Sequence, residues 1–208
     1  MRNGKMSVSI LVLFCAISVA QTPDIVTALR GKYSGETTLE ASFDLKIFWK
    51  VREKTEEKSG TLMLAPGDRF RLELGPTVWV SDGRTYWQYS TATQQVVIKQ
   101  LLDVDLSMHP SQIISTYLHE YAYTVKETGG RQTVLSWTRP PDAANVYANA
   151  ITVWVDTKKM ILKKLHIVDT NGNESTYTFK KTKLGVEFPE ETFTLQIPEG
   201  ASVLDTRE

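Results

Sequence analysis

The sequence predicts a mainly β protein: one strongly curved antiparallel sheet of about eleven strands, with two short helices lying on its concave side. Three observations carry this. Apolar residues recur at every second position through much of the chain, as in Phe43-Asp44-Leu45-Lys46-Ile47-Phe48-Trp49-Lys50-Val51. Successive side chains of a strand point to opposite faces, so such alternation marks one apolar face and one wet face. Turn-forming pairs separate the runs: Asp82-Gly83, Gly129-Gly130 and Asn171-Gly172. Two segments change to helical spacing, and two isolated helices cannot pack a bundle of their own, so their apolar sides must rest on the sheet.

The elements follow in chain order. Arg2 and Lys5 precede an apolar run at residues 7–14, too short to span a bilayer, and Ser18-Val19-Ala20 supplies a small-x-small cleavage pattern. Residues 1–20 are therefore expected to be a secretory signal peptide cleaved after Ala20, and residues 21–208 a single domain. Cys15 is the sole cysteine and lies in this leader; Phe14 stands directly before it, where a lipid-anchor signal needs a small residue. The exported chain, starting at Gln21, is expected to be unlipidated and free of disulfides, so its fold must rest on core burial alone. Thr22-Pro23 then supplies an N-cap and first helical position, Ile25, Val26, Leu29 and Tyr33 recur at helical spacing, and Ser34-Gly35 ends the run.

From residue 43 the period is two. Phe70, Leu72 and Leu74 alternate with Arg69, Arg71 and Glu73; Val96 with Ile98, then Tyr121, Tyr123 and Val125, then Ile151, Val153 and Val155, and finally Phe193, Leu195 and Ile197 continue the rule. Asp82-Gly83 reads as a two-residue hairpin turn, because this pair tolerates positive φ angles. The mixed-sign cluster Arg52-Glu53-Lys54-Thr55-Glu56-Glu57-Lys58 reads as a solvated loop. In HPSQIISTYL, Pro110 opens a second amphipathic helix on which Ile113, Ile114, Tyr117 and Leu118 share a side. Pro140-Pro141-Asp142 marks a loop.

The chemistry-bearing residues do not converge. The chain has 24 basic and 24 acidic residues, and loss of Arg2 and Lys5 leaves a slight acidic excess, which excludes the basic footprint of a nucleic-acid binder. His109, His119 and His166 are the only histidines, and none has the spacing of a zinc site. No thiol remains after the leader, no serine sits in a G-x-S-x-G elbow, and no glycine-rich loop opens a helix. Asp82 is a turn former. No enzyme activity, metal or cofactor is expected. What remains is an apolar face of Phe43, Leu45, Ile47, Trp49, Leu62, Leu64, Phe70, Leu72, Val78, Val80, Trp87 and Tyr89, all expected to point the same way. Periodicity leaves two readings open, a filled core or the lining of a cavity, since both demand the same alternation.

The stretch VSDGRTYWQY at residues 80–89, followed by Gln95, resembles the VSDGxTxWxY…Q hairpin of the LolA family, periplasmic carriers of outer-membrane lipoproteins. EASFDLKIFW is similar to that family's first strand, SGTLMLAPGDRFRLEL to its Gly-x-Leu…Pro…Phe hairpin, HPSQIISTYL to its inserted helical segment, and VDTKKMILKKLHIVDTNGNESTYTF and FTLQIPEGASVLD to its closing strands. The resemblance implies an incomplete, half-open β-barrel whose concave face is closed by a helical lid. The twelve apolar residues would line a cavity for lipoprotein acyl chains, and Ile25, Leu29, Ile113, Ile114, Tyr117 and Leu118 would belong to the lid. It further implies a monomer in the periplasm, loaded by an inner-membrane lipoprotein-releasing ABC transporter and unloaded to an outer-membrane lipoprotein acceptor. Family members carry an Arg before the Pro that matches Pro66, and that Arg ties down the lid; here Ala65 stands there, with Arg69 or Arg71 as candidate replacements. Two other functions stay open: a carrier or sensor of free lipid or of mislocalised lipoprotein, and a structural β-domain with a filled core. Relatives of this fold that are themselves lipid-anchored are disfavoured by Phe14.

Overall fold

The computed structural model describes residues 25–33, 37–104, 122–141 and 147–207. The leader, Thr22-Pro23, Ser34-Gly35, His109, His119, Tyr121 and the second helix with Ile113, Ile114, Tyr117 and Leu118 lie outside these residues. Helix α1 is Ile25–Lys32. The strands that follow are β1 Leu39–Trp49, β2 Lys54–Ala65, β3 Arg69–Leu74, β4 Thr77–Asp82, β5 Thr85–Ser90 and β6 Gln95–Gln100. After these come β7 Thr124–Gly129, β8 Gln132–Thr138, β9 Ala148–Asp156, β10 Ile161–Asp169, β11 Glu174–Leu184 and β12 Ser202–Asp205.

All twelve strands form one sheet in the order β12-β6-β5-β4-β3-β2-β1-β11-β10-β9-β8-β7. Every neighbouring pair is antiparallel except β12 with β6, which is parallel. The order ends on β12 and β7, which do not pair with each other, so the barrel is half-open. β1 and β11 show why the alternation was so readable. Leu39, Ala41, Phe43 and Leu45 are buried while their even-numbered neighbours are not. β11 carries one extra residue, Lys180, where the register shifts between Ser42 and Phe43. Such a bulge bends a strand and increases its twist.

Phe43 anchors the inner face, the face on which α1 packs. Its ring lies 5.6 Å from that of Tyr177 and 6.2 Å from that of Phe179, both tilted. Directly across on β2 stands Gly60. A Cβ there would come within 2.9 Å of the Phe43 ring and 2.6 Å of the Glu73 carbonyl oxygen. A glycine in mid-strand weakens the strand by itself; here it makes the space that the aromatic ring fills.

Four expectations are corrected. Arg52 and Glu53 do form a turn, but Lys54-Thr55-Glu56-Glu57-Lys58 begins β2 and pairs with β1 along its length. β3 covers only residues 60–65 of β2, so residues 54–59 form an open edge. Charged side chains are what such an edge needs to block pairing with other chains, and this is why the segment reads as a loop. The hairpin between β4 and β5 turns on Gly83-Arg84, not Asp82-Gly83: the pairing runs through Ser81 and Tyr86, and the positive φ, +93°, falls on Gly83 alone. Asp82 contributes its side chain instead, accepting from the backbone N–H groups of Arg84 and Thr85 at 2.8 and 2.7 Å.

The third correction concerns Phe193, Leu195 and Ile197. Phe193 ends a 3₁₀ turn, Glu190–Phe193, and the residues after it run without a ladder partner. Phe193 and Leu195 are buried because an extended segment laid on a sheet turns every second residue inward whether or not its backbone pairs; Ile197, 46% exposed, lies beyond that contact. The closing strand is β12, farther on. Finally, the Tyr123–Val125 alternation does not mark a buried strand. β7 starts at Thr124, is exposed throughout, and leaves Val125 55% exposed at the sheet edge.

Asp169 organises the turn between β10 and β11. Its carboxylate is buried and accepts hydrogen bonds from the backbone N–H of Asn171, the backbone N–H of Asn173 and the Asn173 Nδ2, each at 2.8 Å. Asn149 Nδ2 donates to the Asp169 carbonyl oxygen at 3.0 Å and holds the turn against β9. Asp169→Ala leaves these donors without an acceptor and is expected to lower the unfolding free energy by about 1–3 kcal/mol, read as a lower urea midpoint. An unchanged midpoint would mean that the turn holds its shape without the carboxylate.

Candidate functional site

Residues paired directly across neighbouring strands project from one face, so the register assigns every side chain to a face. Phe43, Leu45, Ile47 and Trp49 of β1 share the inner face with Leu62 and Leu64 of β2, through the pairs Ala41–Leu62 and Leu39–Leu64. Leu62 pairs with Leu72 and Leu64 with Phe70, which brings β3 onto the same face. Eight of the twelve predicted residues are therefore together. Phe43, Leu45, Leu62, Phe70 and Leu72 are buried; Ile47, Trp49 and Leu64 are half-buried.

Val78, Val80, Trp87 and Tyr89 are not with them. Leu72 pairs with Trp79 and Phe70 with Ser81, so on β4 the inward positions are Trp79 and Ser81. Val78 pairs with Tyr89 and Val80 with Trp87, all four on the outer face. There they join Val96, Ile98, Leu195 and Ala201 in a second apolar cluster. The cause is that on β4 and β5 the outer face is the more apolar one, because the chain after β11 crosses and covers it, while the inner positions mix Trp79 and Tyr86 with Thr77, Ser81, Gln88 and Ser90. Alternation shows that a face is apolar but not which face it is. The signal that could have decided it is the two-residue turn Gly75-Pro76, which pairs Leu74 with Thr77 and so makes Trp79, not Val80, the continuation of Leu72.

The inner face thus holds Trp79 and Tyr86, which periodicity missed. It has two apolar patches. The larger is a core that includes Val26, Leu29 and Tyr33, with Ile25 packed at its margin; α1 covers this part of the sheet. The smaller is Phe70, Tyr86 and Leu101 with Val104, the rings of Phe70 and Tyr86 lying 6.3 Å apart. Leu64 and Trp79, both only partly buried, belong to both patches. They form the seam where the surface sealed by α1 meets the rest of the inner face.

Phenols on this face stay neutral. Burial pushes the Tyr33 hydroxyl up to about 12, and its oxygen accepts the Leu162 backbone N–H at 2.9 Å. Burial also pushes Tyr86 up to about 12, and Tyr177 upward, with the nearby Tyr147 adding to the effect. Tyr147 rises to about 12 through burial first and the Asp169 carboxylate second. Burial disfavours the charged form of a phenol, so these residues widen the face without placing charge on it. His166 lies outside the site on β10: its Nδ1 is 3.0 Å from Thr176 Oγ1, and burial lowers its pKa despite Glu174 nearby. Among the described residues no three His, Cys, Asp or Glu side chains group to hold a metal ion.

Residues 34–196 match the family model described as outer membrane lipoprotein carrier protein LolA. The chain belongs to the LolA family. An outer-membrane lipoprotein carrier protein of Vibrio campbellii is 24% identical over 215 residues, covering 99% of this chain and 97% of its own. One from Pseudomonas putida is 25% identical over 171 residues, covering 80% and 81%. Among solved structures, an uncharacterized conserved protein from Thermus thermophilus superposes with a TM-score of 0.56 at 14% identity, covering 86% of this chain and 96% of that one, which is a likeness of fold. The LolA family is one of carriers, not enzymes.

The resemblance implies an arginine at position 65 that ties down the lid, and neither candidate replacement for it faces the inner side. Arg69 pairs with Asp82 and Arg71 with Val80, so both project from the outer face. Arg69 Nε donates to the Pro66 carbonyl oxygen at 2.9 Å while its guanidinium lies over the Phe193 ring, 5.5 Å from the centroid. Arg71 Nε holds the Glu73 carboxylate at 2.8 Å. Arg69 fastens the segment after β11, not a cover over the inner face.

Proposed function

We propose that this protein carries lipoproteins across the periplasm with their acyl chains on the inner face of the half-open barrel, taking them from the inner-membrane lipoprotein-releasing transporter and giving them to an outer-membrane acceptor. The observation that carries the reading is the seam of half-buried Leu64 and Trp79 between two apolar patches, one covered by α1 and one beside Leu101. Each acyl CH₂ left in water costs about 0.8 kcal/mol, so a lipoprotein with several chains cannot cross an aqueous gap unaccompanied. Around the seam the face is apolar and receives such chains without a charge to desolvate; the charges of this face, Lys54, Glu56 and Lys58, pair with one another at the far end of β2.

The same physics fixes the direction of transfer. A chain leaving a bilayer for an apolar protein face exchanges one apolar surrounding for another and gains little. Loading is therefore driven by the donor, and release by an acceptor of higher affinity. With no arginine at position 65, and with Arg69 and Arg71 turned outward, no latch from this hairpin reaches the cover; α1 is held by apolar packing and by local hydrogen bonds such as Leu162 N–H to the Tyr33 hydroxyl. A cover held this way opens at low free-energy cost.

The test is native mass spectrometry of the protein purified from periplasm during active lipoprotein export. Complexes with lipoprotein are expected. Apo-protein alone would overturn the proposal, and bound glycerolipid without polypeptide would replace lipoprotein by free lipid as the cargo.

A further inference from the structure

The β1–β2 hairpin projects beyond β3, and its tip has a composition that neither the core nor the inner face uses. Val51 at the tip is 88% exposed and stands between Lys50 and Arg52. Among the described residues neither cation has an ion-pair partner, whereas Lys46, Lys54 and Lys58 farther along the hairpin all contact Glu56 or Glu57. The tip is fastened to its neighbour: the Lys50 backbone N–H donates to Asn173 Oδ1 at 3.1 Å, and the Lys50 side chain lies across Gly172. Between the two tips is a recess of about 270 Å³ lined by Trp49, Val51, Arg52, Asn171 and Asn173.

Trp49 adds an independent observation. Its Nε1–H is buried and has no hydrogen-bond acceptor. A buried donor without a partner is rare in native structures. The Trp49 N–H feels the Glu56 carboxylate only weakly, since Glu56 is engaged first by Lys54 at 3.3 Å and by Lys58 at 3.8 Å. The tip also carries the exposed acid Glu53; among the other described residues at this end, the turns Gly75-Pro76, Thr91-Ala92-Thr93-Gln94 and Thr170-Asn171-Gly172-Asn173 carry no charge, Arg139 adds a cation, Glu174 and Glu199 are acids, and the Asp169 carboxylate is buried in its turn.

We propose that this tip docks on an anionic phospholipid bilayer. Val51 enters the boundary between headgroups and acyl chains, Lys50 and Arg52 reach lipid phosphates, and the recess beside Trp49 receives polar headgroup oxygens. The combination selects this occupant. An acidic protein surface would engage the two cations but offers nothing to an apolar residue thrust between them. A bilayer interface meets all three groups at once, since it attracts cations, receives small apolar side chains and favours the indole ring. The inference rests on the carrier reading to the extent that a carrier must meet a membrane at each end of its route. It places that meeting at the hairpin tip, beside Trp49 at the end of the apolar row of β1.

The test is flotation of the purified exported protein with vesicles of phosphatidylethanolamine and phosphatidylglycerol, against vesicles of phosphatidylcholine. The protein is expected to float with the anionic vesicles only, and to be released by salt. The double variant Val51→Asp/Arg52→Glu is expected to bind them about tenfold more weakly or worse, because each basic residue near such a surface contributes about 1 kcal/mol. Its thermal midpoint and its uptake of a fluorescent fatty acid in vesicle-free solution should match those of the parent. Equal flotation of variant and parent, equal binding to neutral vesicles, or no flotation at all would each overturn the docking role, the last pointing to a protein target. Vesicle binding without fatty-acid uptake would instead leave the docking role standing and remove the carrier reading.

Discussion

Phe43→Ala is expected to lower the unfolding free energy by about 3–5 kcal/mol. The ring is 1% exposed and packs between Tyr177 and Phe179 above Gly60. Removing it forfeits the transfer free energy of the ring and opens a cavity that the neighbours cannot close. Tyr177 and Phe179 are strand residues fixed by the register, and Gly60 has no side chain to move in. Urea denaturation with an unchanged m-value and a lower midpoint is the expected signature. A loss below about 1 kcal/mol would show that the inner core repacks around the gap. Restoring volume from the other side, by Gly60→Ala in the Phe43→Ala background, is not expected to help. The new methyl group would still meet the Glu73 carbonyl oxygen at 2.6 Å.

A pair of neighbouring substitutions separates the two faces functionally. Trp79→Glu is expected to reduce affinity for acyl ligands at least about a hundredfold. It places a carboxylate on the seam between the two inner patches, where acyl chains would have to pass or desolvate it. Val78→Glu, one residue away on the outer face, is expected to leave acyl affinity within about twofold. Its cost falls on stability, about 1–3 kcal/mol, because Val78 packs with Val80, Trp87 and Tyr89 beneath the chain that crosses the outer face. Fluorescent fatty-acid titration and thermal melts measure the two effects in the same samples. Equal loss of binding in both variants would mean that acyl chains do not lie on the inner face. Loss in Val78→Glu alone would move the site to the outer side.

That pair also marks how far the sequence could be read. The alternation in β1, β2 and β3 put eight residues on one face correctly, because in that part of the sheet only one face is apolar. Val78, Val80, Trp87 and Tyr89 alternate just as regularly but face the other way. In β4 and β5 the more apolar face is the outer one, covered by the chain after β11, so period two finds an apolar face without telling which it is; only the count across Gly75-Pro76 does. Phe193 and Leu195 give the complementary lesson, since they alternate without belonging to a strand. The charged start of β2 reads as a loop for a related reason. A strand with an open edge must be polar, and polarity is also what loops show.

What the sequence determined by itself is the class of the molecule: a β protein with a neutral, aromatic-rich apolar face and no catalytic constellation. Those features are written in residue type and spacing, which depend only on neighbours along the chain. The tertiary structure decided which apolar residues share the inner face, that Trp79 and Tyr86 belong to it, and that Arg69 clamps Phe193 on the outside. These are matters of strand register and of what covers each face, and both are fixed by contacts between residues far apart in the chain. No local pattern records them.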